Sequence, residues 1–323
     1  MTVPSTLAIQ IPAFNEAETI EATLSALPRE LDGFDKVFVV VVDDGSDDET
    51  VRLAKLAGAD LVVSHGSNRG LAHAFMTGLQ ACLQLGADVI VNTDADHQYP
   101  AHHIRDLVAP IQAGSSDIVV GDRPINEIES FSRLKRVLQR LGSKIVSNLA
   151  NVKVKDAASG FRALNSSAAR RIFIAGKFSY TMEMLIQASS FGLRVSSVPI
   201  TVNAVTRPSR LMRSTVHYVR ASALAALRAF ALYHPFRFFM RIGLPIVLAG
   251  LVLFIRWAAY TSLAGSYSPR LPSLILGTAL LVCGLQICIL GFLGDQQNIT
   301  RRHLLEQALR SNSEVTEAPD VML

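Results

Sequence analysis

The chain has 323 residues, of which 50% are apolar, and it carries a formal net charge of +4 at pH 7. Its three cysteines form no C-x-x-C pair and two of them lie in apolar runs, so neither a disulfide framework nor a zinc site is indicated. The apolar residues are spread unevenly, because residues 1–205 have the composition of a water-soluble α/β protein and residues 240–294 that of a membrane segment.

Strands and helices are predicted to alternate through the first part of the chain. An apolar run at 7–11 predicts a first strand that Pro12 ends, and Asn15 and Glu16 open a helix to about residue 27. Further strands are predicted at 37–42, 60–64, 89–91, 117–121 and 194–202, with helices at 48–57, 71–85, 102–112, 131–150, 166–173 and 182–191. This alternation is typical of βαβ units, so we predict an α/β fold with a parallel sheet.

Carboxylates follow two of the predicted strands at the point where each strand ends. Asp44 follows the second strand, and Asp94 and Asp96 follow the fourth. The carboxyl ends of parallel strands form the ligand-binding edge of such a sheet, so these acids and the loop at 12–16 should converge. Two carboxylates separated by one residue suit a hard divalent cation, which can hold a diphosphate. The short D-x-D pattern is also compatible with a loop of two solvated acids.

Two signatures of other nucleotide-binding proteins are missing from the sequence. The chain has neither the G-x-G-x-x-G fingerprint of dinucleotide-binding folds nor the P-loop pattern G-x-x-x-x-G-K-[ST]. A hydride-transfer enzyme or a nucleoside triphosphatase is therefore disfavoured. An acid at the end of a strand could still accept hydrogen bonds from a base or a ribose.

The last third of the chain has the pattern of a membrane-associated segment. Arginines alternate with apolar residues through 207–241, which predicts a basic amphipathic helix, or two helices broken near Pro235, at an anionic membrane surface. A helix packed on the globular domain is the alternative. The apolar runs at about 240–263 and 271–294 are each long enough to cross a hydrocarbon core of ~30 Å. Arginines flank this pair on both sides and the linker holds Arg270 alone, so the positive-inside rule predicts cytoplasmic flanks.

Five short motifs carry a resemblance to a known family. They are Pro-Ala-Phe-Asn-Glu at 12–16, Asp-Asp-Gly-Ser at 43–46, Asn-Arg-Gly at 68–70, Asp-Ala-Asp at 94–96 and Gly-Asp-Arg at 121–123. In this order and at these spacings they resemble the catalytic domain of glycosyltransferase family 2. That domain is a nucleotide-diphospho-sugar-binding α/β fold of the GT-A type, with a Rossmann-like mixed sheet. The resemblance covers roughly residues 6–212.

Two further motifs narrow the resemblance. Ser-Gly-Phe-Arg at 159–162 and Arg-Pro-Ser-Arg at 207–210 make the chain similar to dolichyl-phosphate mannose synthases and to bacterial two-span polyprenyl-phosphate glycosyltransferases. The two apolar spans extend this similarity. The Q-x-x-R-W signature of processive polysaccharide synthases is missing, which argues against a polymerase.

The resemblance implies a donor pocket at the ends of the first, second and fourth strands. Its nucleotide-sugar-binding residues would be Pro12, Phe14, Glu16, Asp44, Asp94 and Gln98. Asp44 would contact the base or the ribose. Asp94 and Asp96 would hold Mg²⁺ or Mn²⁺ against the diphosphate, and Gln98 would be a further metal ligand.

The resemblance also implies residues for the reaction and for the acceptor. The catalytic residues would be Asp96, Arg123, Asp156, Arg207 and Arg210. The lipid phosphate would be bound by Arg123, Arg133, Arg136, Arg207 and Arg210. Asp156 would lie near the sugar and position it, because a lipid phosphate is already ionised near pH 7 and needs no strong general base.

We therefore expect a membrane-bound inverting glycosyltransferase that moves one sugar from a nucleotide-diphospho-sugar, GDP-mannose or a UDP-hexose, to a polyprenyl phosphate. One alternative is transfer to a lipid hydroxyl, as in diacylglycerol or ceramide, which requires a carboxylate base with a raised pKa. Another is a non-catalytic membrane protein that binds nucleotide sugars. The motifs leave the sugar, the nucleotide and the polyprenyl chain open.

These expectations divide the chain into four parts. They are a cytoplasmic catalytic domain at 1–206, basic interfacial helices at 207–239, two transmembrane helices within 240–294 and a cytoplasmic tail at 295–323. The first residues lack a basic segment before a long apolar core, so we expect no signal peptide and a multi-pass protein of the cell membrane with both termini in the cytoplasm. Nucleic acid is not an expected partner. Gly277 and Gly284 in the second span would allow close helix packing, as in a homo-oligomer.

Overall fold

The computed structural model describes residues 6–124, 133–174, 180–203, 224, 227–264 and 271–316. It divides into two compact units, Met1–Ala229 and Phe230–Leu323, which are described separately. The strands of the first unit are β1 (Thr6–Ala13), β2 (Lys36–Asp43), β3 (Leu61–Ser64), β4 (Val89–Asn92), β5 (Ile118–Asp122), β6 (Arg162–Asn165) and β7 (Val195–Pro199). Its helices are α1 (Ile20–Ala26), α2 (Thr50–Leu56), α3 (Leu71–Gln84), α4 (His103–Gln112), α5 (Arg133–Ala150), α6 (Ser166–Arg171) and α7 (Tyr180–Ser190).

The strands form one mixed sheet in the order β3-β2-β1-β4-β6-β5-β7. β6 runs antiparallel to β4 and β5, and the other neighbouring pairs are parallel. The mixed GT-A type sheet that the resemblance implied is therefore confirmed, and the prediction of a purely parallel sheet was wrong at β6. β6 has the sequence Arg-Ala-Leu-Asn, which contains no run of apolar β-branched residues like those of β3 and β4, so no local pattern revealed this strand.

Side chains of the strands point alternately into two hydrophobic cores, one on each face of the sheet. On one face, Ile9 and Val41 are buried with Ile104 of α4. On the other face, Ala8 is buried with Phe75 of α3. Because both faces are covered, the central strands read in the sequence as continuous apolar runs rather than as alternating ones.

The first helix begins later than predicted, at Ile20 instead of Asn15. Asn15 has a φ of 54°, which a right-handed helix cannot contain. Its backbone N–H donates to Ser46 Oγ at 2.8 Å, and its side-chain Oδ1 accepts from the backbone N–H of Asp47 at 2.9 Å. The segment after β1 is therefore a loop attached to the loop after β2.

Arg162, at the start of β6, is fully buried and binds three backbone carbonyl groups. Its Nε donates to Ser159 O at 2.8 Å, and its two terminal nitrogens donate to Ala157 O and Thr181 O, each at 2.7 Å. Burial lowers the pKa of Arg162 to about 10. This side chain joins the loop that precedes β6 to the first turn of α7.

We expect Arg162→Met to lower the free energy of unfolding by about 3–5 kcal/mol, because three buried carbonyl groups lose their donor together. Thermal unfolding of the full chain in detergent, followed by circular dichroism, measures the loss. Arg170→Met is the matched control, because Arg170 is exposed on α6. Equal melting temperatures for the two variants would contradict this role of Arg162.

The second unit contains two long apolar helices, α8 (Pro235–Ala264) and α9 (Leu271–Thr316). By length and composition, Pro235–Ser262 and Leu271–Arg301 could each cross a membrane, and each has a mean hydropathy of 2.3. The two predicted spans are therefore found as candidate membrane helices. α9 continues well beyond residue 294, where the second span was predicted to end. Residues 207–223, which include Arg207 and Arg210, lie outside the described residues.

Glycines bring α8 and α9 into close contact. A Cβ on Gly250 would lie 2.9 Å from Gly277 O, and a Cβ on Gly284 would lie 2.7 Å from Val247 Cγ2. Gly277 and Gly284, which the sequence analysis assigned to close helix packing, therefore pack against a helix of their own chain. They give no separate support for a homo-oligomer, which stays a prediction.

Candidate active site

The sheet topology brings five loops of the first unit to one edge. β1, β2, β4 and β5 are parallel, so their carboxyl ends lie together, and the antiparallel β6 begins at the same edge. In the sheet, Ala13 at the end of β1 is paired with Asp43, and Asn92 at the end of β4 is paired with Arg162. The loops that follow β1, β2, β4 and β5 and the loop before β6 therefore surround one region.

An acidic cavity of about 270 Å³ lies at this edge. Its lining residues are Pro12, Ala13, Phe14, Glu16, Asp44, Asn68, Gly70, Leu71, Ala74, Asp94, Ala95 and Asp96. The structure thus brings together six of the residues that the resemblance assigned to the nucleotide and the metal. Gln98 is the seventh, and its backbone N–H donates to Asp96 Oδ1 at 3.1 Å. A ligand role for the Gln98 side chain stays a prediction.

Asp94 and Asp96 repel each other inside this cavity. Burial and then the charge of Asp96 raise the pKa of Asp94 to about 7, while Arg123 acts in the opposite direction. A divalent cation between two such carboxylates would remove this repulsion, so the donor set fits a hard metal ion. Within the described part of the chain, no group of three or more His, Cys, Asp or Glu side chains is arranged to hold a metal. The ion would therefore take further ligands from diphosphate oxygens and water, as Mg²⁺ commonly does.

Asp44 is almost completely buried and organises one wall of the acidic cavity. Its carboxylate accepts the backbone N–H groups of Arg69 at 3.0 Å and Gly70 at 2.8 Å. It also lies 2.8 Å from His65 Nδ1, and His65 Nε2 lies 3.0 Å from Thr77 Oγ1. Asp44 therefore holds the loop that leads into α3. His65 belongs to no recognisable motif, so the sequence alone gives no signal for its contact with Asp44.

Arg123 and Asp156 form a buried ion pair beside the acidic cavity. Arg123 Nε lies 2.5 Å from Asp156 Oδ2, and Asp156 is fully buried. Burial disfavours the charged guanidinium, but the charge of Asp156, its hydrogen bond to Arg123 and the nearby Tyr99 and Asp94 together outweigh this effect, so the net pKa of Arg123 is raised. Asp122 supports the pair by accepting the backbone N–H of Asp156 at 2.9 Å and that of Lys155 at 3.2 Å.

A second, basic cavity of about 660 Å³ has Arg123 in its wall. Its lining residues are Asp122, Arg123, Pro124, Arg140, Lys144, Ser147, Val154, Lys155, Ser197, Pro199 and Ile200. Arg140, Lys144 and Ser147 are spaced i, i+4 and i+7, so they share one face of α5. This cavity combines four cationic side chains, which suits an anionic ligand.

The basic cavity differs in detail from the acceptor site that the resemblance implied. Arg123 lines it as predicted, and the basic residues of α5 that line it are Arg140 and Lys144. Arg136 is half-buried on the same helix, and the side chain of Arg133 lies outside the described residues. The roles of Arg133 and Arg136 stay predictions. The helical spacing of residues 140, 144 and 147 was the pattern in the sequence from which this face of α5 could have been predicted.

Arg123 connects the two cavities. It lines the basic cavity, and it is close enough to Asp94 of the acidic cavity for each of the two groups to shift the pKa of the other. The side chain thus stands between a site suited to a metal diphosphate and a site suited to an anion. Such an arrangement can bring two negatively charged ligands together in one active site.

The Ser-Gly-Phe turn before β6 packs against Asp94 and Tyr99. Phe161 stacks on Tyr99 with ring centroids 4.9 Å apart, and the backbone N–H of Gly160 donates to the Tyr99 hydroxyl at 3.4 Å. A Cβ on Gly160 would lie 2.8 Å from Asp94 Oδ1. The glycine is therefore needed because the carboxylate lies directly against its Cα.

We expect Gly160→Ala to weaken Mn²⁺ binding by roughly tenfold, because the added methyl group displaces the Asp94 carboxylate by several tenths of an ångström. Titration of the full chain with Mn²⁺ in detergent, by calorimetry, measures the change. Gly66→Ala is the matched control, since a Cβ on Gly66 would meet no atom within 4 Å. Unchanged Mn²⁺ affinity in Gly160→Ala would contradict the assignment of Asp94 to the metal.

Comparison with known proteins identifies the family of the chain. Residues 8–173 match the family model described as glycosyl transferase family 2. The UDP-N-acetylglucosamine–dolichyl-phosphate N-acetylglucosaminyltransferase of Methanococcus voltae is 30% identical over 211 residues, which cover 59% of this chain and 82% of that protein. The dolichol-phosphate mannosyltransferase of Pyrococcus furiosus is 30% identical over 225 residues, which cover 66% of this chain and 62% of that protein.

A solved structure has the same fold. Glucosyl-3-phosphoglycerate synthase of Mycobacterium tuberculosis, in complex with Mn²⁺, UDP and glucosyl-3-phosphoglycerate, superposes with a TM-score of 0.54 at 22% sequence identity. The match covers 69% of this chain and 80% of that one. At this identity the likeness concerns the fold alone.

Proposed function

The chain belongs to glycosyltransferase family 2, and we propose that it transfers one sugar from a nucleotide-diphospho-sugar to a polyprenyl phosphate, with inversion at the anomeric carbon. The observation that carries this proposal is that Arg123 lines the basic cavity and is close enough to Asp94 of the acidic cavity for the two groups to shift each other's pKa. Two relatives of the chain are named for transfer to dolichyl phosphate, one of N-acetylglucosamine and the other of mannose. Their names support the acceptor class and leave the sugar open.

The acidic cavity would bind the donor. Phe14 lines it with 38% of its surface exposed, so its ring is available to pack against a base. Asp94 and Asp96 would hold Mg²⁺ or Mn²⁺ at the diphosphate. When bound, the cation would supply electrostatic stabilisation to the departing nucleoside diphosphate.

The basic cavity would bind the phosphate of the acceptor. Arg140, Lys144 and Lys155 are exposed cationic side chains around it, and Arg123 supplies a further guanidinium that is 11% exposed. A lipid phosphate is an anion near pH 7 and attacks without a strong base, so the chain needs to orient it and not to deprotonate it. Asp156 would act by fixing the orientation of Arg123.

Two apolar helices support a membrane-bound enzyme, which suits a lipid acceptor. Arg237 and Arg241 lie at the beginning of α8, and Arg301 and Arg302 lie just beyond the apolar part of α9. By the positive-inside rule, these four residues support a cytoplasmic location for both ends of the helix pair. The catalytic unit would then use cytoplasmic nucleotide sugars.

Transfer to a lipid hydroxyl is the second candidate. It requires a general base, and the raised pKa of Asp94, about 7, is the observation that favours it. That pKa is raised partly by Asp96, so a bound cation would lower it again. A hydroxyl acceptor would also leave the cationic residues of the basic cavity without a ligand. These two points favour the phosphate acceptor.

The test uses the full chain purified in detergent with Mn²⁺ and radiolabelled GDP-mannose, UDP-glucose, UDP-N-acetylglucosamine or UDP-galactose. Label that passes into the organic phase is measured with a short-chain polyprenyl phosphate and, as a matched control, with the corresponding polyprenol. We expect transfer to the phosphate alone. Transfer to the polyprenol or to diacylglycerol, but not to the phosphate, would favour the hydroxyl acceptor. Donor binding without any transfer would favour a non-catalytic role.

A further inference from the structure

We propose that Asn203 is a positioning residue for the carboxylate of Asp96. This inference rests on the proposed function, because it concerns the cation that Asp94 and Asp96 would hold. Asn203 lies four residues beyond the end of β7, whereas Asp96 lies in the loop that follows β4. The connection between them follows from the hydrogen bonds that Asn203 makes with that loop.

Asn203 binds two consecutive carbonyl groups of the loop after β4. Its side-chain Nδ2 donates to His97 O at 2.8 Å, and its backbone N–H donates to Gln98 O at 2.9 Å. Asn203 and His97 are 106 positions apart in the sequence. Because His97 and Gln98 directly follow Asp96, Asn203 holds the loop at the point where the chain leaves the second carboxylate.

His97 is the residue at which this loop needs outside support. Its φ is 58°, in the left-handed region that is unfavourable for a residue with a Cβ. Such a conformation persists when contacts with the surrounding structure hold it in place. Asn203 Nδ2 binds the carbonyl group of this same residue, so loss of that donor would let the loop relax at His97.

The conformation of His97 determines where the carboxylate of Asp96 lies. Asp96 Oδ1 accepts the backbone N–H of Gln98 at 3.1 Å, and this hydrogen bond closes an Asx-turn over His97. A change in the dihedral angles of His97 would therefore move the Asp96 carboxylate relative to Asp94, with which it lines the acidic cavity. Metal–ligand distances tolerate changes of only about 0.2 Å, so a small displacement weakens the site.

The segment that carries Asn203 is itself anchored to two other elements. The backbone N–H of Ile200 donates to Asp122 O, at the end of β5, at 3.0 Å. The backbone N–H of Thr201 donates at 2.9 Å to Nε2 of His103, which is the first residue of α4. Asn203 therefore extends from a fixed part of the fold and can impose a conformation on the loop after β4.

The test measures binding of Mn²⁺ alone to the full chain in detergent, by calorimetry. Asn203→Ala removes the Nδ2 donor and keeps the backbone N–H that binds Gln98 O. We expect this variant to bind Mn²⁺ about tenfold more weakly than the unmodified chain, because one ligand is displaced. Thr201→Val is the matched control, since it removes the 2.9 Å contact of Thr201 Oγ1 with His103 Nε2 and leaves both contacts of Asn203. It should bind Mn²⁺ like the unmodified chain.

The dependence of sugar transfer on Mn²⁺ distinguishes positioning from a general loss of stability. In Asn203→Ala the Mn²⁺ concentration that gives half-maximal transfer should rise about tenfold, while the rate at saturating Mn²⁺ stays within about threefold of the unmodified rate. A variant that lost the same fraction of its rate at every Mn²⁺ concentration would contradict the positioning role.

His97→Gly tests the step that passes through the left-handed residue. Glycine adopts a φ of this sign at no steric cost, so His97→Gly added to Asn203→Ala should restore the Mn²⁺ affinity to within about threefold of the unmodified chain. Unchanged affinity in Asn203→Ala, or no recovery in the double variant, would overturn the inference and leave the glycosyltransferase proposal standing. Failure of the unmodified chain to bind Mn²⁺ would overturn the proposed metal site and the inference with it.

Discussion

Asp96→Asn should lower the rate of sugar transfer by about 10³-fold while leaving the fold intact. The substitution keeps the volume of the side chain and removes one of the two carboxylates that would hold the cation at the diphosphate. Loss of one preorganised electrostatic group in an active site typically costs about 10²–10³ in rate, and a weakened metal site adds to that loss. The measurement is label transfer at saturating donor, repeated over a range of Mn²⁺ concentrations.

The control for this variant is Asp35→Asn. Asp35 is exposed and precedes β2, at the opposite edge of the sheet from the candidate site. It should transfer sugar at the rate of the unmodified chain. If Asp96→Asn kept its activity at low Mn²⁺, Asp96 would have no role in holding the metal.

Arg123→Met should destabilise the catalytic unit and abolish transfer together. The variant leaves the carboxylate of Asp156 fully buried without its cation, and breaking a buried ion pair in this way typically costs about 3–5 kcal/mol. It also removes the guanidinium that stands between the two cavities. Thermal unfolding and label transfer on the same preparation measure the two effects.

The double variant Arg123→Met/Asp156→Asn separates the structural effect from the chemical one. The introduced amide would be neutral, and its oxygen could still accept the backbone N–H of Ala158, which now donates to Asp156 Oδ1 at 3.2 Å. We expect the stability to recover by about 2 kcal/mol or more, because the uncompensated charge is gone. Transfer should stay abolished. A double variant that regained activity would mean that Arg123 acts through stability alone.

The acidic half of the site was largely predictable from the sequence. β4 ends at Asn92, two residues before Asp94, and the apolar run of β2 ends shortly before Asp44, so local patterns place acids at the ends of two parallel strands. The rule that such ends share one edge then brings them together without any knowledge of contacts. The cavity at this edge is lined by these three residues as that rule requires.

The basic half was less predictable. Arg123 and Asp156 are 33 residues apart, and their pairing depends on the antiparallel β6, which no local pattern revealed. The cationic face of α5 could be read from helical spacing. The partners of that face, Lys155 and Ser197, come from loops and strands far along the chain.

Two separate kinds of physical information account for this division. The hydrophobic period, the length of a strand and the length of an apolar span are local properties of the sequence. The sequence by itself therefore determined the α/β class, the acids at the strand ends and the two apolar helices. Three other features depend on groups that meet only after packing. They are the pairing of β6, the burial of the Arg123–Asp156 ion pair and the hydrogen bonds that the Asp44 carboxylate accepts. The tertiary structure decided these, because desolvation and hydrogen-bond partners are properties of the packed chain.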